Sequence, residues 1–430
     1  MSQGAPFSAP VFWFVSLLLL AACCQGSDSQ ERTPVILVPG NGGSQLWAHL
    51  NGAESPWYCR RRSPEGRPQQ LWLEMSSLLY PAVNCMAYNL VLKTQPESFL
   101  TAASTHDNVG VQTFVPGFGI VDTVLWLSNW QTKYTAYYSS IVAHLEEKLN
   151  YTKNIDIKAA PYDFRKAPDE LGDYFQSLKT LIEDSFHRAS GRKVVLVAHS
   201  LGGKLMLHFL HSQPQHWRDQ YIGHFVAIGG AFGGVTVSLL AMLSGYNLGI
   251  PTINPLQFRT VQRSWPSTHY LLPDAILFGS DRPLVKSKRA PPSPPDAVYT
   301  TANLSALFAK ASFAKGYAEG RARYGELTDV GKPPGVTTTC VFGDGLPTLA
   351  SIAWPKVGDK VADADEHENG DGTVAASTAR LCRDWSAKQA APVRVTRLAK
   401  AQHVAILSDD RLLELVADVV RKGGKTETDN

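Results

Sequence analysis

A short apolar run that meets a serine and two glycines constrains the fold more than any other segment. Residues 193–203 read KVVLVAHSLGG, which predicts a buried strand, a tight turn and the start of a helix. Such a turn is a nucleophile elbow, which presents the Ser200 hydroxyl at the carboxyl edge of the sheet. Ala198 and Gly202 are small, because larger side chains there would collide with the neighbouring strand and helix. The alternative is a serine that caps an ordinary helix.

Segments with strand and helix patterns alternate over most of the chain. The predicted strands are at 33–40, 155–160, 193–198, 225–229, 336–343 and 393–398, and the predicted helices at 134–149, 170–188, 203–211 and 409–421. This alternation is typical of a mostly parallel sheet with helices on both faces. The predicted fold class is therefore α/β, with an α/β-hydrolase core.

One long segment interrupts this alternation. Residues 245–335 show no repeated strand and helix pattern and contain the loop sequence APPSPP. We interpret them as a cap or lid inserted into the core. The core then consists of a first part, residues 33–50 and 86–244, and a second part, residues 336–421. The polar residues 422–430 are predicted to be a disordered tail.

A serine nucleophile needs a base and an acid, which follow it in this fold in the order serine, carboxylate, histidine. His403 lies just after the predicted strand 393–398, where the fold places its base. Two aspartates are candidates for the acid. Asp344 directly follows the predicted strand 336–343, and Asp371 lies in the turn-rich sequence NGDGTV. The residue pattern alone leaves both aspartates open.

The backbone N–H groups of Leu201 and Asn41 are candidates for the oxyanion hole. Leu201 directly follows Ser200, and Asn41 lies in the loop PGNGG after the first predicted strand. Backbone donors at these two places stabilise the oxyanion in α/β-hydrolases. For the second loop, a plain glycine-rich turn is the alternative. Because the donors belong to the backbone, we expect no metal ion and no cofactor.

Residues 1–26 are predicted to be a secretory signal peptide. Residues 11–22 read VFWFVSLLLLAA, an apolar run of signal-peptide length that is too short to span a bilayer. Residues 20–23, LAAC, also resemble a bacterial lipoprotein processing site, but the charged region expected before such a site is missing. Asn150 and Asn303 begin Asn-x-Ser/Thr sequons and are predicted glycosylation sites. The predicted localisation is the secretory pathway, ending outside the cell or in an acidic lysosomal lumen.

Four cysteines remain after removal of the signal peptide: Cys59, Cys85, Cys340 and Cys382. An even number of cysteines in an oxidising compartment predicts two disulfides. Three pairings are possible, and we favour the local pairs Cys59–Cys85 and Cys340–Cys382. A metal site is the alternative, but no Cys-x-x-Cys pair accompanies these residues.

A strongly apolar segment, residues 71–92, lies partly inside the loop that the first of these pairs would close. An apolar patch on a small lobe suits a protein that takes its substrate from a membrane surface.

The basic residues of the chain do not indicate a nucleic-acid partner. The net charge is only +3, and no basic stripe with interleaved aromatics occurs, so we expect no nucleic-acid partner.

A series of short segments along nearly the whole mature chain carries a family resemblance. They are VPG at 38–40, QL at 45–46, LWL at 71–73, PGFG at 116–119, APYDFR at 160–165, AHSLG at 198–202, GGV at 233–235, LLP at 271–273, CVFG at 340–343, GDGTV at 370–374 and Cys382. In these segments the chain resembles the lecithin–cholesterol acyltransferase family, which includes the lysosomal phospholipase A.

The resemblance implies specific roles for site residues. It implies a catalytic triad of Ser200, Asp371 and His403, and oxyanion donors at Asn41 and Leu201. It also supports the two local disulfide pairs.

The resemblance further implies a membrane-binding subdomain at residues 51–85 and a mobile lid around 230–270. In the family this subdomain carries an exposed tryptophan, which matches Trp72. We therefore expect Trp72, with Leu73, to contact the membrane or the substrate.

The implied activity is that of a calcium-independent phospholipase A and O-acyltransferase. An acyl-serine intermediate would pass a fatty acyl group from a glycerophospholipid to water or to a lipophilic alcohol such as a sterol or a ceramide. The expected partners are the lipid substrate and a membrane or lipoprotein surface, bound peripherally by a monomer. The alternatives are an esterase of neutral or soluble esters and a non-catalytic lipid-binding protein with the same fold.

Overall fold

The computed structural model describes residues 32–95, 104–288, 297–355 and 362–423. The predicted signal peptide and residues 424–430 of the predicted tail lie outside the described residues. The strands are β1 Val35–Val38, β2 Leu46–Leu50, β3 Gln69–Trp72, β4 Leu92–Gln95, β5 Ser104–Asp107, β6 Val111–Phe114, β7 Ile157–Ala159, β8 Val194–His199, β9 Ile222–Ile228, β10 Val285–Lys288, β11 Val298–Tyr299, β12 Thr338–Asp344, β13 Leu346–Pro355, β14 Asp363–Gly370 and β15 Val393–Ala399. The helices are α1 Ala82–Leu90, α2 Asp122–Leu125, α3 Ser139–Leu149, α4 Gly172–Arg188, α5 Leu201–Ser212, α6 Gln215–Tyr221, α7 Thr236–Ser244, α8 Pro255–Arg263, α9 Pro266–Tyr270, α10 Ala275–Phe278, α11 Leu304–Lys310, α12 Ala314–Tyr324, α13 Ala379–Ser386 and α14 Asp410–Arg421.

The centre of the molecule is a parallel sheet of six strands in the order β15-β12-β9-β8-β1-β7. Every residue of β8 is buried, as expected for a strand covered on both faces. Its side chains alternate between two apolar clusters: Leu196 belongs to one and Val197 to the other. Helices α4 and α5 contribute to the first cluster, and α3 and α14 to the second. The predicted α/β class and all six predicted strands are confirmed.

A second, antiparallel sheet of the order β3-β2-β6 builds a lobe beside the core. Residues 51–85 contribute β3 and the start of α1 to this lobe, whereas β2 and β6 lie outside that range. The lobe therefore includes elements that the sequence assigned to the core. The assignment of residues 51–85 as a membrane-binding subdomain stays a prediction.

The predicted cap, residues 245–335, contains α8 to α12 and the short strands β10 and β11. Its strand β10 pairs with β13, which belongs to a hairpin that leaves the core after β12. A third sheet, of the order β11-β10-β13-β14, thus joins the cap to this hairpin. The limits of the cap and a lid over 230–270 remain predictions.

A buried arginine connects the core to the lobe. Arg165 follows β7 and is fully buried, and its guanidinium lies 2.7 Å from a carboxylate oxygen of Asp163 and 3.0 Å from one of Asp107. The same nitrogen donates to the Thr113 hydroxyl in β6 at 2.6 Å. Burial of Asp163 alone would raise its pKa, but Arg165 outweighs this effect and holds the pKa below its ordinary value. Asp163 and Arg165 therefore form a buried ion pair.

Two disulfides close local loops, and they are the predicted pairs. Cys59 and Cys85 lie at the edge of the lobe, with 5.5 Å between their Cα atoms. Cys340 in β12 and Cys382 in α13 are 6.6 Å apart at Cα and tie a central strand to a helix that covers it. None of the helices in the described ranges combines the length and hydropathy that crossing a bilayer requires.

We predict that the double substitution Cys340→Ala and Cys382→Ala lowers the free energy of unfolding by about 2–5 kcal/mol, because the unfolded chain regains the freedom of a closed loop. Urea denaturation followed by tryptophan fluorescence measures this change. Wild-type protein treated with a reductant is the control, and an unchanged denaturation midpoint in the variant would contradict the prediction.

Candidate active site

The backbone of Ser200 adopts a conformation that non-glycine residues rarely take. Its φ is 56° and its ψ is −122° at the junction of β8 and α5. Hydrogen bonds hold this turn: the Ser200 N–H donates to Ile228 O at 2.9 Å, and its carbonyl accepts from Gly203 N–H at 3.0 Å. A strained residue of this kind persists only where its surroundings fix it, and such residues concentrate at functional sites. The predicted elbow is therefore present.

Close packing explains why small residues surround the elbow. A Cβ atom added to Gly202 would lie 2.4 Å from Pro39 O, and one added to Gly40 would lie 2.7 Å from the Ser200 Cβ atom. Both distances are far shorter than a van der Waals contact. The loop after β1 therefore lies directly against the nucleophile because neither position carries a side chain.

The structure brings Ser200, His403 and Asp371 together in one hydrogen-bonded series. His403 Nε2 lies 2.9 Å from Ser200 Oγ, and His403 Nδ1 lies 2.7 Å from Asp371 Oδ2. The backbone of His403 also donates to Asp371 O at 2.9 Å. Because the Asp371 carboxylate only accepts, Nδ1 carries the hydrogen and Nε2 is free to accept the serine proton. This arrangement can activate a serine for attack on a carbonyl carbon.

Asp371 is held in its ionised form. Burial alone would raise its pKa, but His403 and the N–H groups of Thr373 and Val374 outweigh burial and lower the pKa below the ordinary value. These two N–H groups donate to Asp371 Oδ1 at 2.9 and 2.7 Å, so the second carboxylate oxygen remains for His403.

The competing candidate for the acid, Asp344, is the last residue of β12 and has other partners. Its Oδ2 pairs with Arg397 at 2.6 Å, and its Oδ1 accepts a hydrogen bond from Asn369. The hairpin of β13 and β14 leaves the core after Asp344 and returns at Asp371. Both aspartates are therefore near the edge of the sheet, and only Asp371 contacts His403.

The two oxyanion-donor candidates flank Ser200. Leu201 is the first residue of α5, so its N–H belongs to the positive end of the helix dipole. Asn41 follows Gly40, which packs against Ser200. The indole N–H of Trp72 donates to Gly42 O at 2.7 Å and so ties the loop that carries Asn41 to the lobe.

The expectation that Trp72 and Leu73 lie exposed for membrane contact is wrong. Trp72 is only 6% exposed and Leu73 only 8%. The Trp72 ring packs between Gly42 and Phe164, with 5.8 Å between the centroids of the two aromatic rings. The N–H of Leu73 donates to Leu127 O at 2.9 Å. Both residues therefore belong to the packed junction of lobe and core.

Two further buried side chains at this site were not predicted from the sequence. His199 precedes Ser200, and its ring centroid is 4.7 Å from that of His403. Tyr137 lies 62 positions earlier in the chain, and its hydroxyl is 2.6 Å from His199 Nδ1. The position of His199 beside the nucleophile was the available signal, whereas Tyr137 belongs to no motif.

Both predicted glycosylation sites lie at the surface. Asn150 follows α3 and Asn303 precedes α11, and the two residues are exposed. Their modification stays a prediction.

Comparisons with known sequences agree on one group of relatives. The family described as lecithin:cholesterol acyltransferase matches residues 68–324. The lysosomal phospholipase A and acyltransferase of Rattus norvegicus is 34% identical over 417 residues, which cover 96% of each chain. The phosphatidylcholine-sterol acyltransferase of Homo sapiens is 31% identical, over 95% of this chain and 89% of that protein. Among solved structures, that of the Tle4-Tli4 complex is 12% identical with a TM-score of 0.49, over 91% of this chain and 98% of that one.

We predict that Asp371→Asn lowers kcat on a soluble ester roughly 10³–10⁴-fold, because an amide no longer holds His403 in the tautomer with the hydrogen on Nδ1. Asp344→Asn is the matched control, since that carboxylate pairs with Arg397, and it should stay within about twofold of wild type. Steady-state kinetics distinguish the two. Equal losses in both variants would contradict the assignment of Asp371.

Proposed function

Because the chain belongs to the lecithin:cholesterol acyltransferase family, we propose that it is a phospholipase A and O-acyltransferase with Ser200 as its nucleophile. The observation that carries this proposal is the hydrogen-bonded series Ser200–His403–Asp371. A non-catalytic lipid-binding protein would have no need of a strained serine paired with a histidine and a carboxylate.

The first half-reaction forms an acyl-enzyme. His403 Nε2 takes the Ser200 proton while Oγ attacks the ester carbonyl carbon of a glycerophospholipid. The N–H groups of Asn41 and Leu201 donate to the oxyanion of the tetrahedral intermediate. As the ester bond breaks, His403 returns the proton to the leaving oxygen, and a lysophospholipid departs.

The second half-reaction releases the acyl chain. Water or a lipophilic alcohol gives its proton to His403 and attacks the acyl carbon, and Ser200 recovers its proton as the new product leaves. Asp371 stays ionised throughout and stabilises the transient imidazolium. Hydrolysis and transfer thus differ only in the acyl acceptor. The acceptor is water in hydrolysis and a sterol or a ceramide-like alcohol in transfer.

We place this reaction in the lumen of the secretory pathway. Two disulfides are typical of proteins that fold there. An acidic lysosomal lumen is our specific proposal. It is supported by the names of similar relatives, such as the lysosomal phospholipase A and acyltransferase of Rattus norvegicus.

A different part of the lobe from Trp72 is suited to membrane contact. Trp57 is 88% exposed, Tyr80 81% and Leu79 61%. Trp57 and Tyr80 come from two segments that the Cys59–Cys85 disulfide holds together. We define Trp57, Tyr58, Leu79 and Tyr80 as the aromatic edge of the lobe. Burying one such side chain in lipid contributes about 1.5–3 kcal/mol.

The charge beside the aromatic edge indicates which membrane it fits. Arg60, Arg61 and Arg62 directly follow Cys59, and all three are exposed. Basic residues near a bilayer contribute about 1 kcal/mol each when the lipids are anionic. We therefore propose that the aromatic edge docks on the surface of an anionic phospholipid membrane.

We predict that the wild-type protein releases lysophospholipid from phospholipid vesicles and that Ser200→Ala abolishes this release. Mass spectrometry of vesicles containing a sterol or a ceramide, at acidic and at neutral pH, separates free fatty acid from the acylated alcohol. A fluorophosphonate probe should label the wild-type protein and not Ser200→Ala. This control shows whether the nucleophile is accessible. Turnover of short-chain esters without any phospholipid product would instead support a soluble-ester esterase.

We predict that Trp57→Ser combined with Tyr80→Ser weakens binding to anionic vesicles by at least roughly tenfold, because two exposed apolar side chains no longer enter the lipid. The kcat/KM for a soluble ester should not change. Ile155→Ser is the matched control, because Ile155 is 69% exposed and lies before β7, at the opposite edge of the sheet from Ser200. Vesicle sedimentation measures binding, and equal loss in both variants would contradict the docking surface.

A further inference from the structure

The two ring nitrogens of His199 connect the loop after β1, through Tyr137, to the backbone of His403. His199 Nε2 lies 2.8 Å from His403 O, and its Nδ1 lies 2.6 Å from Tyr137 Oη. The Tyr137 oxygen in turn accepts from Gly40 N–H at 2.9 Å. Tyr137, His199 and His403 are all buried. We refer to residues 39–43, which include the proposed oxyanion donor Asn41, as the oxyanion loop. A continuous series of hydrogen bonds therefore runs from this loop to the backbone of His403.

Donor and acceptor chemistry fixes every proton in this series. A carbonyl oxygen only accepts, so His199 Nε2 must carry a hydrogen and donate it to His403 O. In a neutral ring, Nδ1 is then an acceptor, and the Tyr137 hydroxyl donates to it. The lone pairs of the Tyr137 oxygen remain for Gly40 N–H. This pattern satisfies all the groups with His199 neutral, whereas a protonated ring would leave the Tyr137 hydroxyl hydrogen without an acceptor.

The environment of His199 keeps the ring neutral. Burial, together with the charge of the neighbouring His403 ring, lowers its pKa to about 3, against the weaker opposing effects of the hydrogen bond to His403 O and of Asp371. Burial also raises the pKa of Tyr137, so its hydroxyl keeps its hydrogen. The same proton arrangement therefore holds at neutral pH and at the acidic pH of a lysosomal lumen.

We propose that Tyr137 and His199 are positioning residues that fix the oxyanion loop and the catalytic histidine relative to each other. The proposal rests on the function proposed above. Both backbone polar groups of His403 are held: its N–H donates to Asp371 O, and its carbonyl accepts from His199. Gly40 is held by Tyr137 one residue before the donor Asn41. Neither Tyr137 nor His199 needs to touch the substrate.

Loss of this link should lower the rate of the chemical step and leave substrate binding unchanged. Displacing a catalytic group by about 1 Å can cost roughly 10²-fold in rate. We therefore expect Tyr137→Phe, which keeps the ring and removes the hydroxyl, to lower kcat on a soluble short-chain ester about 10- to 100-fold. The KM should stay within about twofold, since no group that contacts substrate is removed.

Tyr151→Phe is the matched control. Tyr151 is also buried, and its hydroxyl donates to the backbone of Thr33 at 2.9 Å, before the start of β1. Thermal unfolding should show a comparable loss of stability in both variants, and only Tyr137→Phe should lose kcat. A kcat for Tyr137→Phe within about twofold of wild type, or an equal loss in Tyr151→Phe, would overturn the proposal.

A second variant tests whether the two residues act as one unit. His199→Gln retains an N–H near the position of Nε2 and lacks the Nδ1 acceptor for Tyr137. If the hydrogen bond between them is what positions the site, the double variant should lose little more kcat than either single variant. If the losses in kcat of the two single variants multiply in the double variant, the proposal is overturned. If Tyr137→Phe does not fold, His199→Gln is tested alone, and a kcat within about twofold of wild type would overturn the proposal. Activity remaining in Ser200→Ala would instead refute the proposed nucleophile.

Discussion

The strained backbone of Ser200 is the constraint on which the rest of the site depends. A residue with positive φ costs about 1–3 kcal/mol, so neighbouring elements must hold it in place. Ile228 in β9 binds the Ser200 N–H, and the loop after β1 packs against its Cβ atom. Strands β1, β8 and β9 are adjacent in the central sheet. The order of the strands therefore supplies the contacts that the elbow requires.

The lobe is part of the same arrangement and is more than an attachment to the core. The indole N–H of Trp72 donates to the carbonyl of Gly42 in the loop after β1, and Arg165 joins the loop after β7 to Asp107 and Thr113. A fully buried arginine side chain is tolerated only when its N–H groups form hydrogen bonds or ion pairs. Thr113 in the lobe strand β6 and Asp107 at the end of β5 bind this arginine, which thus joins the lobe to the loop after β7.

The sequence predicted those features that local pattern determines. The six strands of the central sheet, Ser200 and His403 were each predicted from a short strand-like segment and the residue types that follow it. The expected exposure of Trp72 was wrong. An apolar residue of a small lobe can lie at its surface or in its junction with the core, and the sequence pattern alone does not distinguish the two. Tyr137 and His199 were missed because their roles depend on a contact between distant segments.

The uncertainty between Asp344 and Asp371 has a specific structural origin. The hairpin of β13 and β14 begins directly after one aspartate and ends directly before the other. Paired strands can lengthen or shorten together without moving the two ends of the hairpin. The fold therefore does not set how many residues separate the end of β12 from Asp371. In this chain, the carboxylate that contacts His403 is thus the residue at which the hairpin returns to the sheet.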